Sequence, residues 1–553
     1  MWSGRQKAIE ALQAESYAAL IPDFGNSINW DSAQNVFIDG DNLEVLKLLQ
    51  NAYNDKIKMI YIDPPYNTGK DFVYNDDFSD PKRRYLEVTG QVDAEGNRLT
   101  SNAETSGRKH SNWLTMMYPR LVLARNLLTE DGFLIVSIGE DEISNLRHML
   151  NDVMGAENLM AQVTLITGAG QAGEGVEIQK NVEYVLVYAR NSAMAEVNRV
   201  DDVNESWRSL TDAPTGLITR PEMGYTVYWH KHSGDMQVKF DYDKSKINQN
   251  TIEKVYKDDK DLLSNGFVPI RPGYRNGNLH RWRWGSETFL RRIDEIEVRI
   301  VNGKPGLYFL QRGTIPPKNV WSFGSGTAEL KELFDGSQLF DYPKSTAFLK
   351  YVVSLFTDES SIVLDFFAGS GTLGHSVELQ NESDGGNRRY ICVTLPEPTN
   401  KDSDARKAGI EKVSEITEMR LKKVLDLFDG AKERGLRILR LGPSAFKPHF
   451  PSDDSLFVLD ESSLEMDPNT EQIAGEVLLR QGVTLDQPWT RVSGIQSGSV
   501  KVCDLFGTME IEQILETEAS VLVFLEDSFK GRDALKSELS FAIAQAGKKM
   551  VTY

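Results

Sequence analysis

Cysteine is almost missing from this chain: Cys392 and Cys503 are its two in 553 residues. Cys392 lies in an apolar, strand-like run, where a buried and reduced thiol is the expected state, so a disulfide framework is excluded. No run of about 18 apolar residues occurs that could span a bilayer. The opening Met1-Trp2-Ser3-Gly4-Arg5 carries no apolar signal core, so no membrane association and a cytoplasmic location are expected. The seven histidines show no metal-ligand spacing with the cysteines. His230-Lys231-His232 comes nearest and reads as a surface loop or strand, so no metal is expected. There is no internal repeat, heptad run or low-complexity tract. No Gly-Lys-Ser/Thr follows a glycine-rich turn, which excludes a phosphate-binding loop, and no helicase-type motor or nuclease signature is present.

What is present is an ordinary globular composition, 40% hydrophobic and 26% charged, with length enough for about three or four domains. The net charge of −19 opposes binding of nucleic acid over the whole surface, but the distribution of charge decides that question. Residues 201–320 hold 19 Lys and Arg against 16 Asp and Glu, so this stretch is +3 and the remainder −22. Within it, the stretch from Arg271 to Trp284 contains no acid and carries Arg271, Arg275, Arg281 and Arg283 among aromatics. Such arginines can neutralise phosphates, read guanine edges and stack on unpaired bases. A strand with tryptophans inside and arginines outside has the same pattern, and both readings stay open.

The chain order predicts five regions. Residues 1–35 form a polar, helical lead-in. Residues 36–195 alternate strands and helices (Phe37–Asp39, Ile57–Ile62, Phe133–Ile138, Val163–Thr167 and Tyr184–Tyr188 as strands, Trp113–Leu128 as a buried helix), with a polar excursion over 79–110 and a glycine-rich loop at Gly168–Gly175. Residues 196–320 break the pattern with short strand-like runs, as an inserted domain does. Residues 321–430 resume it with Ser361–Phe367, Tyr390–Leu395 and a helix over Ile410–Asp429. Residues 431–553 read as a small separate α/β region. The expected fold is α/β, a doubly wound and mostly parallel sheet.

Two motifs lie just past strand ends, where such a sheet places its ligands. Asp63-Pro64-Pro65-Tyr66-Asn67-Thr68-Gly69 follows Ile57–Ile62. Asp365-Phe366-Phe367-Ala368-Gly369-Ser370-Gly371-Thr372 follows Ser361–Leu364, about 300 residues later. The exocyclic amino group of a base is a poor nucleophile because its lone pair is delocalised into the ring. A site that alkylates it must accept its hydrogens and hold the nitrogen in line with the donor. The Asp63 carboxylate and the Pro64 carbonyl would do this, with Pro64 and Pro65 stiffening the turn. Tyr66 offers an aromatic face to a base rotated out of the duplex. Gly369 and Gly371 would let the backbone pass close beneath a cofactor and open a helix at Thr372.

Together with Gly40–Glu44, Ile60–Phe78, Gly107–Leu114 and Tyr342–Ser345, these motifs resemble the β group of S-adenosylmethionine-dependent DNA adenine amino-methyltransferases. That group runs catalytic region, target-recognition domain, cofactor region. More narrowly, the chain resembles the modification subunits of type III restriction–modification systems. The resemblance implies a Rossmann-like methyltransferase fold with 36–195 as catalytic half, 196–320 as target-recognition domain and 321–430 as cofactor half. It implies catalysis by Asp63 and Tyr66 with Pro64 and Pro65, and methionine and ribose contacts from Asp365, Phe367, Gly369 and Gly371. Lys344 and Ser345 would meet the cofactor carboxylate, and Asp41 would lie beside its adenine. Relatives end the second cofactor strand with an acid; here Thr394 stands there and Glu397 is taken as the ribose ligand. Also implied are double-stranded DNA with a short asymmetric site, a homodimer, and a separate ATP-dependent restriction subunit. Methylation of RNA or of the cytosine 4-amino group, and a catalytically silent DNA-specificity subunit, are the alternatives; cytosine sites usually begin the tetrad with Ser rather than Asp.

Overall fold

Short apolar, β-branched runs recur between amphipathic helices, and they assemble into one ten-stranded sheet. The computed structural model describes residues 2–68, 72–74, 99–101, 106–167, 178, 180–201, 206–211, 213, 215–249, 251–275, 277–311, 313–446, 470–491, 494–503, 515–529 and 532–553. Its strands are β1 (Ala18–Pro22), β2 (Asn35–Asp39), β3 (Ile57–Ile62), β4 (Leu128–Ile138), β5 (Leu159–Ile166), β6 (Val182–Ala189), β7 (Val320–Ser322), β8 (Ile362–Asp365), β9 (Arg389–Thr394) and β10 (Leu436–Pro443). Their spatial order is β1-β10-β2-β9-β8-β3-β4-β6-β5-β7. The six from β10 to β4 run parallel. β6 runs antiparallel to both β4 and β5. The principal helices are α1 (Arg5–Gln13), α2 (Asn42–Tyr53), α3 (Ser106–Leu127), α4 (Ile143–Met154), α5 (Thr346–Phe356), α6 (Thr372–Asp384), α7 (Val413–Leu427) and α8 (Thr470–Arg480).

A parallel strand is covered on both faces and therefore reads as a near-continuous apolar run. Five of the six residues of β3 are buried accordingly. β8 lies beside β3, with Val363 opposite Met59 and Leu364 opposite Ile60. From β8 the chain crosses through α6 to β9 on one side; from β3 it crosses through α3 to β4 on the other. The crossovers diverge between β3 and β8, and that divergence opens a crevice at the carboxyl ends of these two strands. The fold is the doubly wound, mostly parallel α/β sheet.

Two compact units are present: residues 1–198 with 318–553, and residues 199–317. The second unit contains two three-stranded antiparallel sheets: Ser206–Ser209, Lys304–Gln311 and Ile296–Val301 form one, and Met236–Lys239, Thr226–His230 and Phe267–Ile270 the other. Its main core gathers Tyr225, Trp282, Trp284, Phe289, Leu307 and Phe309. Among the described residues, no helix is long and apolar enough to cross a membrane, and no group of three or more His, Cys, Asp or Glu could hold a metal. The glycine-rich loop at 168–175, residues 69–71 and most of the 79–110 excursion lie outside the described residues.

The structure corrects two expectations. The lead-in over 1–35 is not purely helical, because Ala18, Ala19 and Leu20 are buried in β1. The run at Arg437–Leu441 does not belong to a separate region: it forms β10, between β1 and β2 in the central sheet. Its buried Arg437 breaks the apolar pattern. That guanidinium lies 5.2 Å from the centre of the Trp30 ring and 5.8 Å from that of Trp489, and it donates to the carbonyls of Trp30 and Leu485. A smaller five-stranded sheet follows, from Trp489–Arg491 to Lys549–Thr552. A chain cut after Gly430 therefore lacks an inner strand, and leaves the β2 ladder and Trp30 uncovered. Loss of a cooperative thermal transition by circular dichroism is expected for it, whereas a melt matching that of the whole chain would show that β10 is dispensable.

Candidate active site

β3 stops at Ile62 because Pro64 and Pro65 cannot donate to a ladder. The following turn is held from three sides. The Trp113 indole on α3 donates to the Pro65 carbonyl at 2.7 Å. Asn67, in the left-handed region at φ +59°, donates to Glu142 Oε1 at 2.5 Å and to the Lys109 carbonyl at 3.3 Å. Gly139, just past β4, lies so near Tyr66 that a Cβ there would come within 2.9 Å of the ring.

Charge is concentrated on the open side of this turn. Lys344 Nζ lies 3.3 Å from Asp63 Oδ1 and 2.8 Å from Glu183 Oε2. It also donates to the Tyr66 hydroxyl at 2.7 Å, and that hydroxyl donates to Glu183 at 2.8 Å. Burial raises the Asp63 pKa; Lys344 pulls it back and Glu183 pushes it up again. Burial opposes the ammonium of Lys344, but the two carboxylates outweigh it and hold it charged. Burial, then Asp63 and Glu183, raise the Tyr66 phenol well above its usual range, so it stays a neutral donor. Among the described residues, no donor makes a well-directed hydrogen bond to the buried Asp63 Oδ1, although Lys344 lies 3.3 Å away.

The second motif opens from β8. Asp365 is buried and accepts from the Phe367 amide at 2.9 Å; burial raises its pKa well above the carboxylate range. Gly369 and Gly371 take φ +51° and +77°, conformations that disfavour any residue with a Cβ. A Cβ on Gly371 would sit 3.0 Å from Thr417 Cγ2. Arg420, fully buried on α7, braces the turn by donating to Ser370 Oγ at 3.0 Å and Thr372 Oγ1 at 2.7 Å. Burial lowers its pKa to about 10.

Asp63, Tyr66 and Lys344 thus come together in one network, and the Asp365–Gly371 turn opens from the neighbouring strand. The remaining expected residues, where described, have partners of their own or lie buried. The Asp41 carboxylate caps α2 through the amides of Leu43 and Glu44 and lies 3.8 Å from Arg120. It shapes the turn after β2 from within. Ser345 donates to Glu329 at 3.2 Å. Burial pushes the Glu397 carboxyl up to about 7 with no cation set against it. In the second unit, Arg271 is held internally by Asp241 at 3.0 Å and Asp258 at 2.6 Å. Arg281 is buried and donates to Thr215 Oγ1 at 2.9 Å and to the Trp282 carbonyl. Arg281 is thus buried and Arg271 is tied to two carboxylates of its own unit; Arg283 is exposed, and the Arg275 side chain lies outside the described residues.

Glu183 and Glu142 were not expected in the site. Each left a faint trace: Glu183 is the one acid in the run Val182–Ala189, and Glu142 ends the acidic cluster Glu140-Asp141-Glu142 after β4.

A family model described as DNA methylase, of the N6/N4 methyltransferase type, matches residues 57–420, which include both turns and more than half of the chain. The chain belongs to this DNA methylase family. The chain is 35% identical over 431 residues to the type III restriction–modification enzyme EcoPI Mod subunit of Escherichia phage P1, covering 74% of this chain and 65% of that one. It is 32% identical over 435 residues to the StyLTI Mod subunit of Salmonella typhimurium, covering 76% and 62%. It is 27% identical over 434 residues to the type II methyltransferase M.KpnI of Klebsiella pneumoniae, covering 74% and 92%. The chain thus spans just under two thirds of the length of these two Mod subunits. Substituting Gly371 by Ala in it puts a Cβ into the left-handed region against Thr417, and a loss of about 1–2 kcal/mol in urea unfolding is expected; a variant as stable as the parent would show that this turn is unstrained.

Proposed function

We propose that this methylase transfers a methyl group from S-adenosylmethionine to the 6-amino group of adenine in a short asymmetric sequence of duplex DNA, as the modification subunit of a type III restriction–modification system. The observation that carries the reading is the buried Asp63 oxygen, short of a well-directed donor among the described residues, on the strand next to the glycine turn after β8. The Mod subunits among the relatives support the narrower assignment, which includes a homodimer and a separate ATP-dependent restriction subunit. The match along nearly all of M.KpnI, a type II methyltransferase, supports methyl transfer as the activity.

The residues fit the cofactor. Gly369 and Gly371 leave open backbone where a Cβ would meet Phe340 or Thr417, and Asp365 and Glu397 are acceptors at the ends of β8 and just past β9. With Phe367 beside them, these residues would hold the methionine and ribose, and Ser345 would border the carboxylate. When bound, the cofactor supplies an electrophilic methyl group on sulfur. Asp63 accepts one hydrogen of the target amino group and the Pro64 carbonyl the other, which localises the nitrogen lone pair. Tyr66 stacks on the extruded base while Glu183 holds its hydroxyl. Lys344 lies 3.3 Å from Asp63 and donates to Glu183 and the Tyr66 hydroxyl. It is the counter-ion that keeps Asp63 an acceptor.

Two outcomes test this. Asp63→Ala should abolish methyl transfer while cofactor and DNA still bind; a variant that keeps most of its rate would remove Asp63 from the mechanism. A protonated Asp63 loses the negative charge that makes it a strong acceptor for the amino hydrogen, so activity falls as pH drops through its pKa. Lys344→Met withdraws the charge that lowers that pKa, and the acid limb of the rate profile should move to higher pH. An unmoved limb would refute the counter-ion role. For the second unit, Arg283→Ala should flatten the salt dependence of DNA binding by about one charge, and Arg281→Ala should lower stability with that slope unchanged. The opposite pattern would restore Arg281 as a contact.

A further inference from the structure

Glu142 is fully buried at the N-cap position of α4, yet its side chain does not cap that helix. Its Oε1 accepts from Asn67 Nδ2 at 2.5 Å and lies 2.5 Å from His110 Nδ1. Its Oε2 accepts from Asn145 Nδ2 at 2.8 Å. Asn67 and His110 are far apart in sequence: Asn67 ends the turn after β3, and His110 stands in the first part of α3. Asn67 and His110 thus meet at one carboxylate oxygen.

A buried carboxylate needs several donors, and here they come from the turn after β3, from α3 and from α4 itself. Asn67 in turn has a backbone that few residues adopt. Its amide is what connects the turn to this carboxylate, while Trp113 and Gly139 fix the turn at Pro65 and Tyr66.

The geometry points to Glu142 as a positioning residue for methyl transfer: by clasping Asn67 and His110 it sets the angle at which Asp63 and Tyr66 meet the base. Glu142 touches neither reacting atom and acts through Asn67. The inference rests on the reading of Asp63–Tyr66 as the catalytic turn. Misplacement of a reacting group by about 1 Å costs on the order of 10²-fold in rate even when binding is preserved.

The test uses the full chain in four forms: wild type, Glu142→Ala, Glu142→Gln and Asn67→Gly. Glu142→Ala strips three groups of their partner and also threatens the fold. Asn67→Gly removes the tie and keeps a residue suited to positive φ, so it is the decisive variant. Single-turnover transfer of labelled methyl to unmethylated DNA is measured beside the cofactor dissociation constant. Asn67→Gly should slow transfer roughly 10²-fold with cofactor affinity unchanged. Glu142→Gln should recover part of the rate lost in Glu142→Ala, because its amide oxygen still accepts from Asn67. Asn67→Gly at the wild-type rate, beside an inactive Asp63→Ala, would overturn the inference alone. A wild-type chain that binds cofactor and methylates no DNA would overturn the catalytic reading and this inference with it.

Discussion

One ammonium group neutralises the centre of this molecule. Lys344 stands 3.3 Å from Asp63 and 2.8 Å from Glu183, in a site where burial raises the pKa of Asp63 and Tyr66 alike. Two carboxylates this close and this dry repel each other and would hold a proton between them. With the lysine between them, Asp63 can face an incoming amino group as an acceptor. Tyr66 stays neutral, donates to Glu183 and keeps its ring in one orientation. The chemistry proposed for the turn after β3 depends on that balance of charge.

The sheet brings these groups together by direction as much as by order. β3, β4 and β8 are parallel and end at one edge, which is where Asp63, Glu142 and Asp365 emerge. β6 runs the other way, with Tyr184 opposite Ile138, so its beginning lies at that same edge. Glu183 therefore reaches the site from the first turn of a strand while its neighbours reach it from the ends of theirs. The glycine turn after β8 is braced from behind by the buried Arg420 and Thr417 of α7. A rigid scaffold carries a site made almost wholly of strand-end turns.

The places of Asp63–Tyr66 and Asp365–Gly371 were legible in the chain because each is written locally: an apolar strand, then the residues that leave its end. The α/β alternation was legible for the same reason. What escaped depends on pairing between distant segments. Glu183 shares the site only because β6 is reversed, and Glu142 only because Asn67 and His110 meet at it. β10 joins the central sheet although its run contains buried Arg437, whose charge hides the apolar pattern while two indoles cover its stem. The arginine–tryptophan stretch carried two readings, and composition alone did not separate them. Arg271 and Arg281 look like nucleic-acid contacts by composition, but carboxylates, a threonine and a carbonyl inside their own unit hold them.

The central claim is that the turns after β3 and β8 make one site that methylates adenine. The most direct measurement is incubation of the full chain with labelled S-adenosylmethionine and unmethylated duplex DNA, followed by digestion, identification of the labelled base and mapping of its sequence context. The account predicts N6-methyladenine on one strand of a single asymmetric motif. Label recovered in N4-methylcytosine, or none in DNA while the cofactor remains bound, would contradict it.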